Sequence, residues 1–172
     1  MRHLILMRHA KAVRANEAPS DRARGLTERG RREAREAGLA IAALATSALR
    51  AVISPSARTR ETWEALAPTL PGHTRVTIVE TLYNGAAATL WAEARRAAAP
   101  GQDSSVLVIA HNPGVTDLVA RLLSDAGDRA PAARRLAEHV PTSGFAAFEL
   151  SGDTLEAAGA RLIGWGRLRD DA

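Results

Sequence analysis

Two histidines and two arginines of this 172-residue chain stand where one edge of a β-sheet could bring them together. Arg8 and His9 follow the apolar run at residues 4–7, and Arg58 and His111 each come shortly after a later apolar run. Parallel strands of an α/β sheet place their carboxyl ends at one edge, and ligands bind there. Because a guanidinium binds phosphate oxygens through two parallel hydrogen bonds and an imidazole adds a further donor, these residue types predict a site for a phosphate-like dianion.

Each of these residues also has a purely structural interpretation. Taken alone, His9 fits a hydrogen-bonded core histidine, and Arg58 fits a solvated helix residue. The segment His111-Asn112-Pro113-Gly114 taken alone fits a turn chosen for its backbone angles. Their common position after three predicted strands favours a functional site over three separate structural features.

The elements that must position these side chains are predicted as alternating strands and helices. Strands are predicted at residues 4–7, 51–54, 76–79, 106–110, 145–150 and 161–167. Helices are predicted from an N-cap at Thr27 to about residue 45, and at residues 57–66, 86–98, 113–124 and 132–138. A loop is expected at residues 14–25 and a turn at residues 151–154. This order is typical of an α/β sheet covered by helices.

Composition excludes several classes of protein. The chain has no cysteine, which rules out disulfides, zinc–thiolate sites and thiol nucleophiles. It has no apolar run near the roughly 20 residues that span a membrane, and no signal-peptide pattern is expected at its start. A net charge of +4 indicates an anionic partner, but 3% aromatic residues argue against single-stranded nucleic acid. We therefore expect a cytoplasmic protein that binds phosphate, with no nucleic-acid or membrane partner.

Five ordered motifs in the chain resemble those of the histidine phosphatase superfamily, which includes the phosphoglycerate mutases. Together they span roughly residues 2–150. They are Leu4-Ile5-Leu6-Met7-Arg8-His9-Ala10-Lys11, Asp21 with Arg24-Gly25-Leu26-Thr27-Glu28-Arg29-Gly30, Ser54-Pro55-Ser56-Ala57-Arg58-Thr59-Arg60-Glu61-Thr62, His111-Asn112-Pro113-Gly114, and Pro141-Thr142-Ser143-Gly144.

The resemblance implies a phosphoglycerate mutase-like fold: a single-domain three-layer sandwich with a mostly parallel central sheet, helices on both faces and one histidine phosphatase domain over residues 1–172. The short chain and the Arg8-His9-Ala10-Lys11 form look most like the SixA-type phosphohistidine phosphatases. Residues 66–76 are too few to hold a cap domain, so the site should be shallow and open.

The resemblance also implies a two-step covalent mechanism in which His9 is the nucleophile. A neutral imidazole is nucleophilic, and the ordinary histidine pKa of about 6.5 leaves it largely neutral at pH 7. Arg8, Arg58 and His111 would bind the phosphoryl oxygens, where negative charge spreads during in-line transfer. These cations replace the charge that Mg²⁺ supplies elsewhere, so neither a metal nor a cofactor is expected.

The proton donor stays open between two carboxyl groups. Glu80 stands near the end of the third predicted strand, where many members of the superfamily carry an acid, and its alternative is a solvated strand-end charge. Asp21 is the second candidate, and its alternative is a turn-forming residue. No role is predicted for His3, His73 or His139.

An ambiguous acid favours phosphohistidine as the substrate, since a ring-protonated phosphohistidine releases a neutral imidazole whereas an alkyl phosphate needs a proton donor. The expected partner is a protein that carries phosphohistidine. The alternatives are a small phosphorylated metabolite, such as a sugar phosphate or nucleotide, and a non-catalytic phosphate-binding module. The oligomeric state is not predicted.

Overall fold

Six strands make up the central layer of the protein, which we describe from a computed structural model. The described residues are 2–45, 49–70, 72, 74–98, 105–151 and 159–167. The strands are β1 (Arg2–Arg8), β2 (Leu49–Ile53), β3 (Arg75–Ile78), β4 (Ser105–Ala110), β5 (Phe145–Leu150) and β6 (Ala160–Gly166). They form one sheet in the order β3-β2-β4-β1-β5-β6.

The sheet is mostly parallel, as predicted. β4 runs parallel to both β1 and β2, and β2 runs parallel to β3. Only β5 is reversed, because it pairs antiparallel with β1 on one side and with β6 on the other. The strands at the centre are continuous apolar runs since helices bury both of their faces.

Five helices cover the two faces of the sheet and complete a three-layer sandwich. They are α1 (Glu28–Leu44), α2 (Ala57–Leu66), α3 (Ala87–Ala97), α4 (Gly114–Asp125) and α5 (Pro131–Glu138). Ile5 and Met7 pack with α1 and α2 in one core, whereas Leu4 and Leu6 pack with the other three helices in a second core. This division follows from the alternation of side chains along a strand.

The predicted elements all occur, with ends that differ by one or two residues. Thr27 caps α1 as predicted, and its hydroxyl accepts a hydrogen bond from the Gly30 amide at 3.0 Å. Pro113 lies immediately before α4 rather than in its first turn. The loop at residues 14–25 contains two short 3-10 turns, Ala15–Glu17 and Asp21–Ala23. Residues 152–154 of the predicted turn at 151–154 lie outside the described residues.

The connection from α2 to β3 is short, as predicted. Residues 67–74 link the two elements, and the first part of this link is the 3-10 turn Ala67–Thr69. A link of this length cannot fold over the sheet edge as a separate unit. Among the described residues, none of the helices is both long and apolar enough to cross a membrane.

Candidate active site

The register of the sheet brings three of the predicted polar segments to the same level. The His9 amide donates to the Ala110 carbonyl at 3.1 Å, and the Ser54 amide donates to the Ile109 carbonyl at 3.1 Å. His9, Ser54 and His111 therefore leave β1, β2 and β4 side by side at the carboxyl edge of the sheet. The topology that places them there is the common site of ligand binding in α/β proteins.

A pocket of about 220 Å³ opens at this edge. This volume is below the range of about 300–1,000 Å³ that is usual for sites enclosing a whole small molecule. Four of its lining side chains are cationic, and among the described residues its lining includes no carboxylate. The lining residues are Arg8, His9, Lys11, Ala12, Arg24, Arg58, Asn84, His111, Asn112 and Thr142.

His9 is held in one tautomer by the backbone. Its Nδ1 lies 2.8 Å from the Ala10 carbonyl, which can only accept, so Nδ1 carries the proton. In the neutral ring, Nε2 then has a free lone pair. Burial lowers the pKa of His9 to about 3, against the opposing effect of the Ala10 hydrogen bond, and the positive charges of Arg58 and Arg8 also lower it. The ring is therefore a neutral base at physiological pH.

His111 is held by a side chain instead. Its Nε2 lies 2.7 Å from the Ser54 hydroxyl, and both residues are buried. Within the described part of the chain the Ser54 hydroxyl has no other hydrogen-bond acceptor, so it donates to Nε2 and leaves the ring proton on Nδ1. That Nδ1 is buried and has no partner among the described residues. Burial lowers the pKa of His111 to about 4, so this ring is neutral as well.

Arg58 lies 4% exposed and is oriented by Asp21. Its Nη1 donates to the Asp21 carbonyl at 2.6 Å, and its Nη2 donates to Asp21 Oδ2 at 3.0 Å. Both terminal nitrogens are thus turned toward the loop before α1. Its Nε is buried without a partner in the described structure, and a buried donor in this state calls for a ligand or another explanation.

Asp21 is an acceptor in this network. Its Oδ2 also accepts a hydrogen bond from the Tyr83 hydroxyl at 2.8 Å, and its Oδ1 accepts one from Arg24 Nη1 at 2.9 Å. The hydrogen bond from Tyr83, followed by those from Arg24 and Arg58, holds the pKa of Asp21 far below its usual range. The carboxylate is therefore poorly suited to donate a proton, and it does not line the pocket.

Glu80, the other candidate acid, contacts Arg22 rather than a residue of the pocket. Its two carboxylate oxygens accept hydrogen bonds from Arg22 Nη2 at 2.7 and 2.6 Å, and its side chain is 72% exposed. Glu80 does not belong to the pocket lining. The structure thus brings together Arg8, His9, Arg58 and His111, and it keeps both candidate proton donors outside the pocket.

Arg8 is anchored at the opposite side of the pocket. Its Nη1 donates to the Val140 carbonyl and lies 3.1 Å from His139 Nε2. His139 was assigned no role from the sequence, because its contact joins residues 131 positions apart and leaves no local signal. Asn112 reaches the same segment, since its Nδ2 donates to the Val140 carbonyl at 3.0 Å.

Tyr83 and Asn84 also belong to the site, although no role was predicted for them from the sequence. The Tyr83 ring stands edge-on to the His111 ring at 5.6 Å between centroids, and its hydroxyl binds Asp21. Asn84 lines the pocket with a positive φ of 52°, a conformation in which Asn is enriched. The pair Asn84-Gly85 is a turn signal and could have drawn attention to this segment.

A close backbone approach holds the Tyr83–Gly85 turn against α4. A Cβ atom at Gly114 would lie 2.0 Å from the Gly85 carbonyl oxygen. Any side chain at position 114 would therefore push this turn away from His111. The glycine of the predicted His111-Asn112-Pro113-Gly114 motif is explained by this contact.

Two neutral imidazoles and a set of fixed cations make this pocket suited to an anion with several oxygens. The ring centroids of His9 and His111 are 5.3 Å apart. Among the described residues, no group of three or more His, Asp or Glu side chains is placed to hold a metal ion. The side chains present offer one nucleophilic nitrogen and at least two buried donors around the same small volume.

Comparison with known proteins places the chain in a family. Residues 4–87 match the sequence profile of the histidine phosphatase superfamily (branch 1). The chain is also 31% identical to an uncharacterized protein, Rv1276c of Mycobacterium tuberculosis, over 92% of this chain and 98% of that protein. The protein belongs to the histidine phosphatase superfamily, and it is a phosphatase.

Similar solved structures indicate which branch of the superfamily the chain resembles. A provisionally assigned phosphohistidine phosphatase SixA from Nakamurella multipartitia has a TM-score of 0.79 and 30% identity, over 96% of this chain and 95% of that one. The protein histidine phosphatase SixA complexed with tungstate has a TM-score of 0.72 and 27% identity, over 96% of this chain and 97% of the other. The predicted SixA-type resemblance and phosphoglycerate mutase-like fold are confirmed.

Proposed function

We propose that the protein removes phosphate from phosphohistidine on a protein through a covalent intermediate on His9. The observation that carries this proposal is the pairing of a free Nε2 on His9 with two buried, unpartnered donors, His111 Nδ1 and Arg58 Nε, at one small pocket. A transferring phosphoryl group presents three oxygens that need such donors. The tungstate complex of the similar SixA structure supports an oxyanion as the occupant.

In the first step, His9 Nε2 attacks phosphorus in line with the leaving group. A bond forms between His9 Nε2 and phosphorus, and the bond between phosphorus and the substrate imidazole nitrogen breaks. The leaving imidazole departs neutral when its other nitrogen already carries a proton. In the second step, water attacks the phosphorus of phospho-His9. This step gives inorganic phosphate and restores neutral His9 after one water proton is released.

The absence of an acid from the pocket lining supports a phosphoramidate substrate. The Asp21 carboxylate accepts a hydrogen bond from Arg58, and the Glu80 carboxylate accepts one from Arg22. A phosphate monoester releases an alkoxide, which is slow without a proton donor. A phosphohistidine does not have this requirement. The open pocket fits a phosphoryl group displayed on a protein surface, and we expect this activity in the cytoplasm.

The testing experiment compares turnover of a phosphohistidine-bearing protein with turnover of p-nitrophenyl phosphate, for wild type and His9→Ala. We expect wild type to prefer the phosphohistidine protein and His9→Ala to be inactive on both substrates. A rapid quench with phosphorus-labelled substrate should trap label on wild type but not on His9→Ala. Calorimetry with tungstate serves as the folding control, because His9→Ala keeps the cationic donors.

Each other outcome selects an alternative. Faster turnover of p-nitrophenyl phosphate would leave His9 as the nucleophile but would indicate that the substrate is a small phosphorylated metabolite. Binding of tungstate without turnover of either substrate would make the protein a phosphate-binding module.

A further inference from the structure

A second and larger cavity lies beside the pocket, with a volume of about 1050 Å³. We refer to it as the basic groove. Arg8, Lys11 and Thr142 line both the pocket and the basic groove, so the two volumes meet at these residues. A substrate whose phosphate occupies the pocket therefore has the basic groove directly next to it.

One face of α1 forms one wall of the basic groove. Arg29, Arg32, Glu33 and Glu36 follow the helical spacing of three and four residues and project from this face. Arg167, after β6, and His139, after α5, also line the basic groove, and Arg167 forms an ion pair with Glu33 of α1. The lining also includes Ala37 and Phe145, which are 8% and 0% exposed and so present little apolar surface.

The charge of the basic groove is positive. Its lining contains the cations Arg8, Lys11, Arg29, Arg32 and Arg167 against the carboxylates Glu33 and Glu36. Glu33 is already neutralised by ion pairs with Arg167 and, at 2.6 Å, with Arg29. Burial opposes the ionisation of Glu33, but the Arg167 and Arg29 contacts outweigh it and keep its pKa below the usual value. The Arg32 side chain is 61% exposed, and its nearest carboxylate, Glu28, is 4.0 Å away.

The groove is long enough for a short stretch of polypeptide. From Arg29 to Ala40, a helix rise of 1.5 Å per residue gives a wall of about 16 Å. An extended chain covers this length with about five residues.

We propose that the basic groove docks an acidic segment of the same protein that carries the phosphohistidine, in extended conformation next to the phosphorylated residue. This inference rests on the proposed function and names a feature of its substrate. Lys11 and Arg32 are exposed side chains of the groove lining, and they attract carboxylates from the segment. Opposite charges at such an interface mainly raise the association rate and set partner choice.

A polypeptide fits the groove better than a nucleic acid. The carboxylates of Glu33 and Glu36 interrupt the basic wall. A polypeptide can place an uncharged residue opposite them, whereas every unit of a nucleic-acid backbone carries a phosphate. Among the described residues, Phe145 is the only Phe, Tyr or Trp of the lining, and it is fully buried and offers no stacking surface to a base.

The test uses two synthetic phosphohistidine peptides, one with three glutamates on each side of the phosphohistidine and one with glutamines in their place. We expect wild type to favour the glutamate peptide by about tenfold in kcat/KM, mainly through KM. Arg32→Glu should abolish this preference, so that the ratio of the two kcat/KM values is about one. Glu36→Lys should increase the ratio about threefold. Raising the salt concentration should reduce the preference of wild type, because exposed charges are screened.

Arg35→Glu is the matched control. Arg35 is exposed on the same helix, undergoes the same charge change and does not line the basic groove. We expect it to keep the wild-type preference. If Arg32→Glu and Arg35→Glu lose the preference for the glutamate peptide equally, the proposal is overturned, because net charge alone would then explain the effect. Equal turnover of both peptides by wild type would also overturn it, as would inhibition by a DNA oligonucleotide that is stronger than inhibition by the unphosphorylated glutamate peptide.

Phosphoramidate, a small substrate with a P–N bond, separates this proposal from the proposed function. Wild type and all three variants should hydrolyse it at the same rate. If phosphoramidate and both peptides remain intact and no label reaches His9, the proposed function itself fails. If phosphoramidate is hydrolysed but the peptides are not distinguished, only the docking role of the basic groove fails.

Discussion

The floor and the rim of the pocket are built from different kinds of structure. We define the floor as Arg8, His9, Arg58 and His111, and the rim as Asp21, Glu80 and Tyr83. Three floor residues, Arg8, His9 and His111, stand at or just after strand ends, and Arg58 lies in the first turn of α2. Arg58 and His111 are almost fully buried. The rim residues lie in short 3-10 turns or directly after one, and the Asp21 and Glu80 side chains are 49% and 72% exposed.

We propose that this difference separates residues that contact the phosphoryl group from residues that orient them. Packing on both faces of the sheet holds the floor, so its donors are prearranged without any ligand. Of the rim residues, Asp21 accepts hydrogen bonds directly from Arg58. Tyr83 reaches the floor only through Asp21, and Glu80 contacts Arg22 instead. We therefore expect substitutions in the floor to cost more activity than substitutions in the rim.

The largest effect after loss of His9 is expected for Arg58→Ala. It removes a buried cation that faces the pocket, and kcat/KM should fall by a factor of about 10²–10³. Arg58→Lys should recover only a small part of this loss, because an ammonium group cannot reproduce the guanidinium fork. The measurement is phosphohistidine turnover, with tungstate affinity as a second readout. A loss of less than fivefold in Arg58→Ala would place the phosphoryl group elsewhere.

Ser54→Ala should cost about tenfold to thirtyfold in kcat/KM. It removes the hydroxyl that assigns the proton of His111 to Nδ1 and leaves Nε2 buried without a partner. Ser54→Thr keeps a hydroxyl and tests whether the hydrogen bond or the volume matters. Nuclear magnetic resonance of the His111 ring nitrogens should report the change of tautomer. An unchanged tautomer in Ser54→Ala would remove Ser54 from the mechanism.

Asp21→Asn should lower kcat/KM by about tenfold, which corresponds to about 1.4 kcal/mol. The amide keeps the volume but loses the charge that orients Arg58. Tyr83→Phe removes one hydrogen bond to Asp21 and should have a smaller effect in the same direction. If Asp21 were the proton donor instead, Asp21→Asn would slow an alkyl phosphate, which releases an alkoxide, much more than phosphohistidine. Comparison of the two substrates therefore distinguishes a positioning role from an acid role.

The pH dependence should show the burial of the floor directly. Protonation inactivates a nucleophilic histidine, and the neutral fraction of an ordinary histidine with a pKa of 6.5 would fall about 25-fold from pH 7 to pH 5. Because burial lowers the pKa of His9 to about 3 and that of His111 to about 4, kcat/KM should change by less than about threefold over this range. The rates are compared after correction for ionisation of the substrate. A steep fall near pH 6.5 would contradict the buried, neutral floor.

The smallest effect is expected for Glu80→Gln. Glu80 pairs with Arg22 at the surface, and an exposed pair of this kind contributes about 0–1 kcal/mol. Turnover of both phosphohistidine and p-nitrophenyl phosphate should change by less than about twofold. A steep loss confined to an alkyl phosphate, whose alkoxide leaving group needs a proton, would instead identify Glu80 as a general acid and favour the small-molecule phosphatase.

Much of the floor could be predicted because strand ends are readable from the sequence. The apolar runs at residues 4–7 and 106–110 mark buried strands, so Arg8, His9 and His111 had to emerge together at one edge. The alternation of strands and helices, the short link between α2 and β3 and the N-cap of α1 at Thr27 were predicted for similar local reasons. The limits of the elements differed by one or two residues, since terminal turns and strand ends depend on tertiary contacts.

The rim and the basic groove could not be predicted in this way. Asp21 binds Arg58 across 37 positions of sequence, and His139 contacts Arg8 across 131. The α1 arginines look like ordinary solvated residues in a helical pattern. Their position in one groove with Arg167 depends on how α1 packs against β5 and β6.

The sequence by itself determined the class of fold and the identity of the four floor residues, because hydrophobic periodicity and strand ends are local properties of the chain. The tertiary structure alone decided which carboxylate orients Arg58, which nitrogen of each histidine carries its proton and where the basic groove meets the pocket. These features are set by hydrogen bonds and ion pairs between residues distant in sequence, whose geometry exists only after the sheet and helices have packed.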